Sequence, residues 1–331
     1  MADRVVVVGA RRGNTNIPIS EMKQMMGRAG RKHGAGESEV DVIVEESDEL
    51  YLEEGMEDDE GMKVISVLDD IDSICFHILP EIASGRVKNL ETARHWFSRS
   101  FRAVQGGKVD MREVFDTLVE YESIVERGGR VSTTPLGDAS CMFYFHPADV
   151  LTWKTNFDEL FEESMEMDDV APAWALGSIP VARTTGDLGD NRWVVGDCIG
   201  RIPVGLEPME GSLVNITLWW HCMGGPPVGK MKNVALAMRK DFGRIRSLLN
   251  YLDHKVAHWG MTDFFDDLTT RVRRGVPLEL MDLCKLEGIS KGRAAYLYNV
   301  DITNLDELRE QADNLEGEID ENFMDAIRRL V

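Results

Sequence analysis

The chain has 331 residues and a formal net charge of −21, from 58 acidic against 37 basic side chains. That length gives room for two or three domains with buried cores, and no apolar run approaches the roughly 20 residues of a membrane span, so a membrane partner is not expected. The five cysteines, Cys75, Cys141, Cys198, Cys222 and Cys284, form no Cys-x-x-Cys pair, which argues against a disulfide framework or a zinc ribbon and for reduced thiols inside a cell, cytoplasmic or nucleoid-associated.

Met-Ala-Asp-Arg followed by Val5 to Val8 is too short an apolar run for a signal peptide. Val5 to Gly9 instead predicts a strand of the buried parallel type, Ser20 opens a helical pattern, and Val40 to Val44 predicts a second short strand. The helix carries Gln24-Met25-Met26-Gly27-Arg28-Ala29-Gly30-Arg31. Two arginines three apart with flanking glycines suit a phosphate-clamping turn, because guanidinium forks bind phosphate oxygens bidentately. This octapeptide resembles motif six of superfamily 2 helicases. The resemblance implies that Gln24, Gly27, Arg28 and Arg31 bind ATP, with Arg28 and Arg31 catalytic in stabilising charge on the transferred phosphoryl group. Residues 1–44 then form the remnant of a RecA-like motor domain. Glu37 to Glu60 contains no Lys or Arg, and residues 45–62 are expected to be a solvated acidic linker with a little amphipathic order, an acidic regulatory tail being the alternative.

From Ile65 to Glu126 the apolar residues recur at helical spacing, with one stripe at Ile71, Ile74, Cys75, Ile78 and Leu79 and another at Val114, Leu118, Tyr121 and Val125. A turn at Gly128-Gly129 follows, then Thr134-Pro135-Leu136-Gly137, then a strand-like Cys141 to Phe145. Helices closed by a hairpin describe a winged helix over residues 63–150. With Ile17 to Gln24 leading into the arginine motif, this order resembles the superkiller-type branch of superfamily 2, nearest its archaeal DNA-unwinding members. The resemblance covers about two thirds of the chain.

Residues 151–262 are expected to be a ratchet-like helical domain with a β-rich, diverged segment at 170–229, where Trp193 to Val195 and Val214 to Trp220 read as β-like runs. Lys232 to Trp259 and Phe264 to Arg274 predict two long helices. Gly224 to Met231 has P-loop spacing, but Met231 cannot hold Mg²⁺ and Pro226 and Pro227 lack amides, so it reads as a loop opening the basic helix. Lys232, Arg239 and Arg246 recur every seven residues with Lys240 and Arg244 beside them, either a nucleic-acid contact or a solvated face. Trp219, Trp220 and Trp259 are candidates for base stacking or for core. His254 and His258 have zinc spacing on a helix without further ligands, so no metal site is expected. Residues 263–331 resemble a helix-hairpin-helix, in which Gly288, Lys291 and Arg293 would meet a phosphate, although Ser290 stands where a second glycine is usual and a packing module is the alternative.

The expected fold class is thus mainly α and multi-domain, with a remnant of an α/β domain. The resemblance implies the C-terminal part of an ATP-dependent helicase acting on single-stranded or forked DNA, RNA remaining open. ATP and Mg²⁺ would be shared with a missing motor half, carried on a second chain or a missing segment, and the chain alone is not expected to hydrolyse ATP. The alternative is a non-enzymatic DNA-binding or adaptor protein derived from such a helicase.

Overall fold

The computed structural model describes residues 4–12, 15–29, 39–57, 66–162, 168–179, 188, 191–208, 212–225 and 229–331. They fall into two compact units, 1–67 and 68–331. The chain is mainly helical, and no helix among the described residues is long and apolar enough to cross a membrane.

In the first unit, β1 (Arg4–Val8) is followed by the short antiparallel pair β2 (Arg11–Arg12) and β3 (Thr15–Asn16), then α1 (Ile19–Met26). The strand β4 (Glu39–Ile43) pairs with β1 in parallel, from Arg4 opposite Glu39 to Val8 opposite Ile43. Alternation along β1 sends Val7 into a small core with Met22 and Leu52. The opposite face is bare, with Val6 50%, Val8 76% and Ile43 57% exposed. The acidic stretch departs from expectation. Residues 46–57 form a full helix, α2 (Glu46–Glu57), where the sequence predicts only a little amphipathic order, and residues 58–62 lie outside the described residues. Leu52 is buried, Met56 packs against the same core, and Tyr51 donates from its hydroxyl to the Ile17 carbonyl at 3.0 Å. Glu46, Asp48 and Glu49 sit in its first turn, where the helix dipole favours carboxylates.

The second unit opens with α3 (Ile71–Ala83), α4 (Leu90–Ser98), α5 (Phe101–Val104) and α6 (Met111–Glu120), then the hairpin of β5 (Ile124–Arg127) and β6 (Arg130–Thr133). Ile74, Ile78, Phe97, Val114, Phe115, Leu118 and Ile124 share one core, so the first stripe and Val114 and Leu118 of the second face inward, whereas Tyr121 is half-buried outside that core and Val125 is exposed on β5. Gly128 and Gly129, at φ 59° and 74°, supply the left-handed pair that a two-residue hairpin turn needs. Cys141 to Phe145 is not a strand. It lies in and just beyond α7 (Pro135–Phe143), whose N-terminus is capped by Thr134 Oγ1 accepting from the Gly137 amide at 3.1 Å. Gly137 is required there, since a Cβ would fall 2.0 Å from the Ser123 carbonyl oxygen.

A large helical core then runs from Leu136 to Val272 through α8 (Pro147–Glu162), α9 (Val170–Gly177), α10 (Trp193–Ile199), α11 (Leu213–Cys222), α12 (Lys232–Leu252) and α13 (Thr262–Arg274). This overturns the β-rich reading of 170–229, because both β-like runs are helical. All of α9 and most of α11 are buried, and a helix apolar on every side carries no 3.6-residue alternation to read. A wide π-type turn at residues 253–257 ends α12, and the buried Asp253 carboxylate accepts from the Gly260 and Met261 amides at 2.6 and 2.9 Å. The chain ends in α14 (Met281–Lys285), α15 (Lys291–Asn299), α16 (Leu305–Gln311) and α17 (Glu321–Arg328) around Leu283, Ile289, Leu297, Leu308, Phe323 and Ile327.

Candidate nucleotide and nucleic-acid sites

In the first unit Met22 anchors α1 in the core, and Gln24 and Arg28 emerge exposed, four residues apart. The chain leaves the helix through Gly27 and Arg28, whose amides donate to the Lys23 and Met25 carbonyls at 2.9 and 3.2 Å. Gly27 sits at φ −65°, a conformation open to any residue, so backbone strain does not explain the glycine. Arg28 has no ion-pair partner among the described residues. Gly30 and Arg31, the rest of the expected clamp, lie outside the described residues.

The basic helix α12 buries Ala235, Met238, Phe242, Ile245, Leu249 and Leu252. Its seven-residue row of cations does not form one open stripe. Lys232 is exposed, but Arg239 is partly buried beside Gly275, where a Cβ would meet its Nη2 at 2.6 Å. Arg246 donates from Nε to Asp266 Oδ1 on α13 at 2.9 Å. Two causes combine: seven residues fall about 20° short of two full turns, so the row drifts, and α13 packs along that side. Lys240 and Arg244 are exposed, and Arg244 lies over the Phe145 ring at 4.3 Å. Trp219 and Trp220 are buried in the core, and Trp259 is partly buried with its indole N–H on Asp158 at 2.7 Å, so packing occupies all three.

At the C-terminal hairpin, Ser290 caps α15 by accepting from the Arg293 amide at 3.4 Å. Gly288, at φ 78°, packs close to Ala326. Lys291 donates to the Gly275 carbonyl, and partial burial together with the nearby Arg239 pulls its pKa below the usual lysine value. Arg293 donates to the Gly288 carbonyl at 2.9 Å and stacks over Phe323 at 4.8 Å. Both cations therefore have internal partners.

No protein-family model matches the chain. The ATP-dependent DNA helicase Hel308 of Methanocella arvoryzae is 25% identical over 335 residues, covering 90% of this chain and 43% of the relative. The chain is a homologue of archaeal Hel308 DNA helicases. The Hel308 of Thermococcus kodakarensis is 23% identical over 93% of the chain and 30% of its own length, and that of Thermoplasma volcanium 22% over 89% and 44%. The chain thus spans less than half the length of these Hel308 relatives, as a C-terminal half of an archaeal superfamily 2 helicase does.

The Hel308 relatives are named as ATP-dependent, and the exposed Gln24 amide and Arg28 guanidinium are a donor set that suits phosphate oxygens. Neither offers a carboxylate for Mg²⁺, and no cluster of three metal-ligating side chains occurs among the described residues, His254 and His258 included. The P-loop-like stretch is not a phosphate cradle at its start. Gly224 and Gly225 are filled spaces, where a Cβ would fall 2.4 Å from the Pro277 nitrogen and 2.9 Å from the Trp220 ring, while Pro226 to Val228 lie outside the described residues. Sequence reasoning missed Phe145 as the platform under Arg244, because that stretch read as a strand.

Proposed function

We propose that this Hel308-related chain is the C-terminal part of an ATP-dependent DNA helicase. In this reading it supplies an arginine phosphate clamp and strand-guiding domains to a motor whose phosphate cradle and Mg²⁺ site come from outside this sequence. The observation that carries the reading is the match of nine tenths of the chain to Hel308 over less than half of the relative's length. Residues 1–44 act as a remnant of the second RecA-like motor domain. The bare valines of the β1–β4 pair support this, since parallel strands are ordinarily covered on both faces and their edges paired. The helices and hairpin from α3 to β6 serve as a winged helix, α7 to α13 as a ratchet-like helical region, and α14 to α17 as a helix-hairpin-helix module. By resemblance, movement runs 3′ to 5′ along one strand.

Within the clamp, Gln24 orients a terminal phosphate oxygen or the attacking water, and Arg28 with Arg31 stabilises charge as the phosphoryl group leaves. Bound ATP would supply the phosphoryl group itself. The test mixes the chain with a polypeptide carrying the missing motor motifs and measures DNA-stimulated ATP turnover. Arg31→Ala and Arg28→Ala should each lower kcat by about 10³-fold or more, the range for an arginine finger. Turnover untouched by both substitutions sinks the clamp. DNA binding without ATPase in any mixture would leave the adaptor reading in its place.

A further inference from the structure

We propose that the tip of the β5–β6 hairpin, Arg127 and Arg130 with the neighbouring Lys88, docks on the phosphate backbone of duplex DNA, and that α6 does not. This rests on the nucleic-acid reading above and assigns the duplex contact within it.

Arg127 and Arg130 are directly opposed in the register, the last pair before the Gly128-Gly129 turn. Like charges facing each other across a hairpin destabilise it. Both side chains are exposed, and neither has an ion-pair partner among the described residues. Cations close by are neutralised: Arg112 binds Asp116 at 2.9 Å and Glu126 at 2.7 Å, and Arg86 is held by Glu81. Lys88 is brought alongside because its carbonyl accepts from the Val131 amide at 2.9 Å, one residue past Arg130. Its side chain is exposed and likewise has no ion-pair partner among the described residues. Two open cations thus face each other at the hairpin end, with a third on the segment bonded beside β6, in a chain of net charge −21. A bound polyanion would relieve the repulsion that the free hairpin carries.

The helix before the hairpin has the opposite character. α6 exposes Glu113, Asp116 and Glu120, and its one arginine, Arg112, is already engaged. Laid against phosphates, that face would repel them. The hairpin tip is slim, with open space around both glycines, so two guanidinium forks can reach a backbone without a steric barrier. It carries no aromatic platform of the kind that single strands stack on. The denser charge of a duplex, about one per 1.7 Å, is the better match for a purely electrostatic tip.

The experiment uses the full chain with Arg127→Ala and Arg130→Ala combined. Affinity for a blunt DNA duplex of about 20 base pairs and for an oligothymidine of about 20 nucleotides is followed by anisotropy from about 50 to about 200 mM salt. Duplex affinity should fall about tenfold or more at low salt, with the log–log salt slope shallower by about 2, while oligothymidine affinity stays unchanged. The thermal midpoint should not fall, because an opposed charge pair has been removed. Val119→Asp, on the exposed face of α6, should leave duplex binding unchanged. Unaltered duplex affinity and slope in the double variant, or a loss in Val119→Asp as large as in the double variant, overturns the assignment while leaving the helicase reading intact. A wild-type chain that binds neither probe overturns both.

Discussion

Arg271 is a buried cation of the second unit held by an ion pair. It is 1% exposed on α13 and binds the Asp169 carboxylate at the start of α9, and the same carboxylate oxygen accepts from the Leu278 amide at 2.9 Å. One carboxylate thus ties α9, α13 and the segment leading into the C-terminal helices. Burial pushes the Asp169 carboxyl above its ordinary range, and the Arg271 guanidinium and the Leu278 amide pull against that shift. Such a pair adds little over an apolar substitute, but removing one partner strands the other charge in the interior. Arg271→Ala should therefore cost about 3–5 kcal/mol, read as a lower urea midpoint with an unchanged slope. Arg271→Met, which keeps volume but also strands Asp169, should differ from Arg271→Ala only by the packing share. A loss below about 1 kcal/mol in Arg271→Ala would mean that Asp169 is solvated in the folded chain.

At the scale of elements, α12 separates what a pattern can and cannot reveal. Its apolar face was legible because Ala235, Met238, Phe242, Ile245, Leu249 and Leu252 keep a helical period against polar neighbours. Its cationic row was legible only as spacing. Where each guanidinium goes depends on α13 and on the turn at Gly275, which lie far along the chain. The helix therefore divides into open cations, Lys232 and Lys240, and engaged ones, Arg239 and Arg246. If α12 holds a single strand, Lys232→Glu with Lys240→Glu should weaken oligothymidine binding and flatten its salt slope by about 1.4. Arg239→Glu should instead lower the thermal midpoint, because it places a carboxylate among packed atoms beside Cys222 and Gly275. A silent lysine pair would remove α12 from the binding surface. The same contrast of local pattern and distant packing explains the other departures. β1 was readable from four valines, whereas α11 reads Leu-Val-Asn-Ile-Thr-Leu-Trp-Trp, rich in β-formers and buried nearly all round, so propensity pointed the wrong way. In α2 the carboxylates hid Leu52 and Met56, four apart on one face. The Gln24 to Arg31 motif announced itself by residue type, but Arg127 and Arg130 became conspicuous only once the register set them face to face.

For the whole molecule, the excess of 21 negative charges sets two salt dependences against each other. Two like charges about 10 Å apart repel by about 0.4 kcal/mol in water, and the screening length falls from about 10 Å at 0.1 M salt to about 3 Å at 1 M. Many of the ion pairs among the described residues lie at the surface, such as Arg328 with Glu321 and Asp325, and pairs of that kind contribute little. Self-repulsion is therefore the dominant electrostatic term, and added KCl should raise the thermal midpoint between about 0.1 and 1 M, by about 2–4 °C for each kcal/mol recovered. Sucrose at matched osmolality separates screening from general exclusion of solute. A midpoint that is flat or falls with KCl would mean that the carboxylates are already balanced by bound cations. If the chain binds DNA as proposed, that binding should move the other way, since salt competes with each phosphate contact. Because the same acidic surface repels DNA at long range, screening also assists the approach, so the measured slope should be smaller than the number of cations touching phosphate. Replacing two exposed acids, Glu310 and Glu318, with Gln should then steepen the slope without adding any cation.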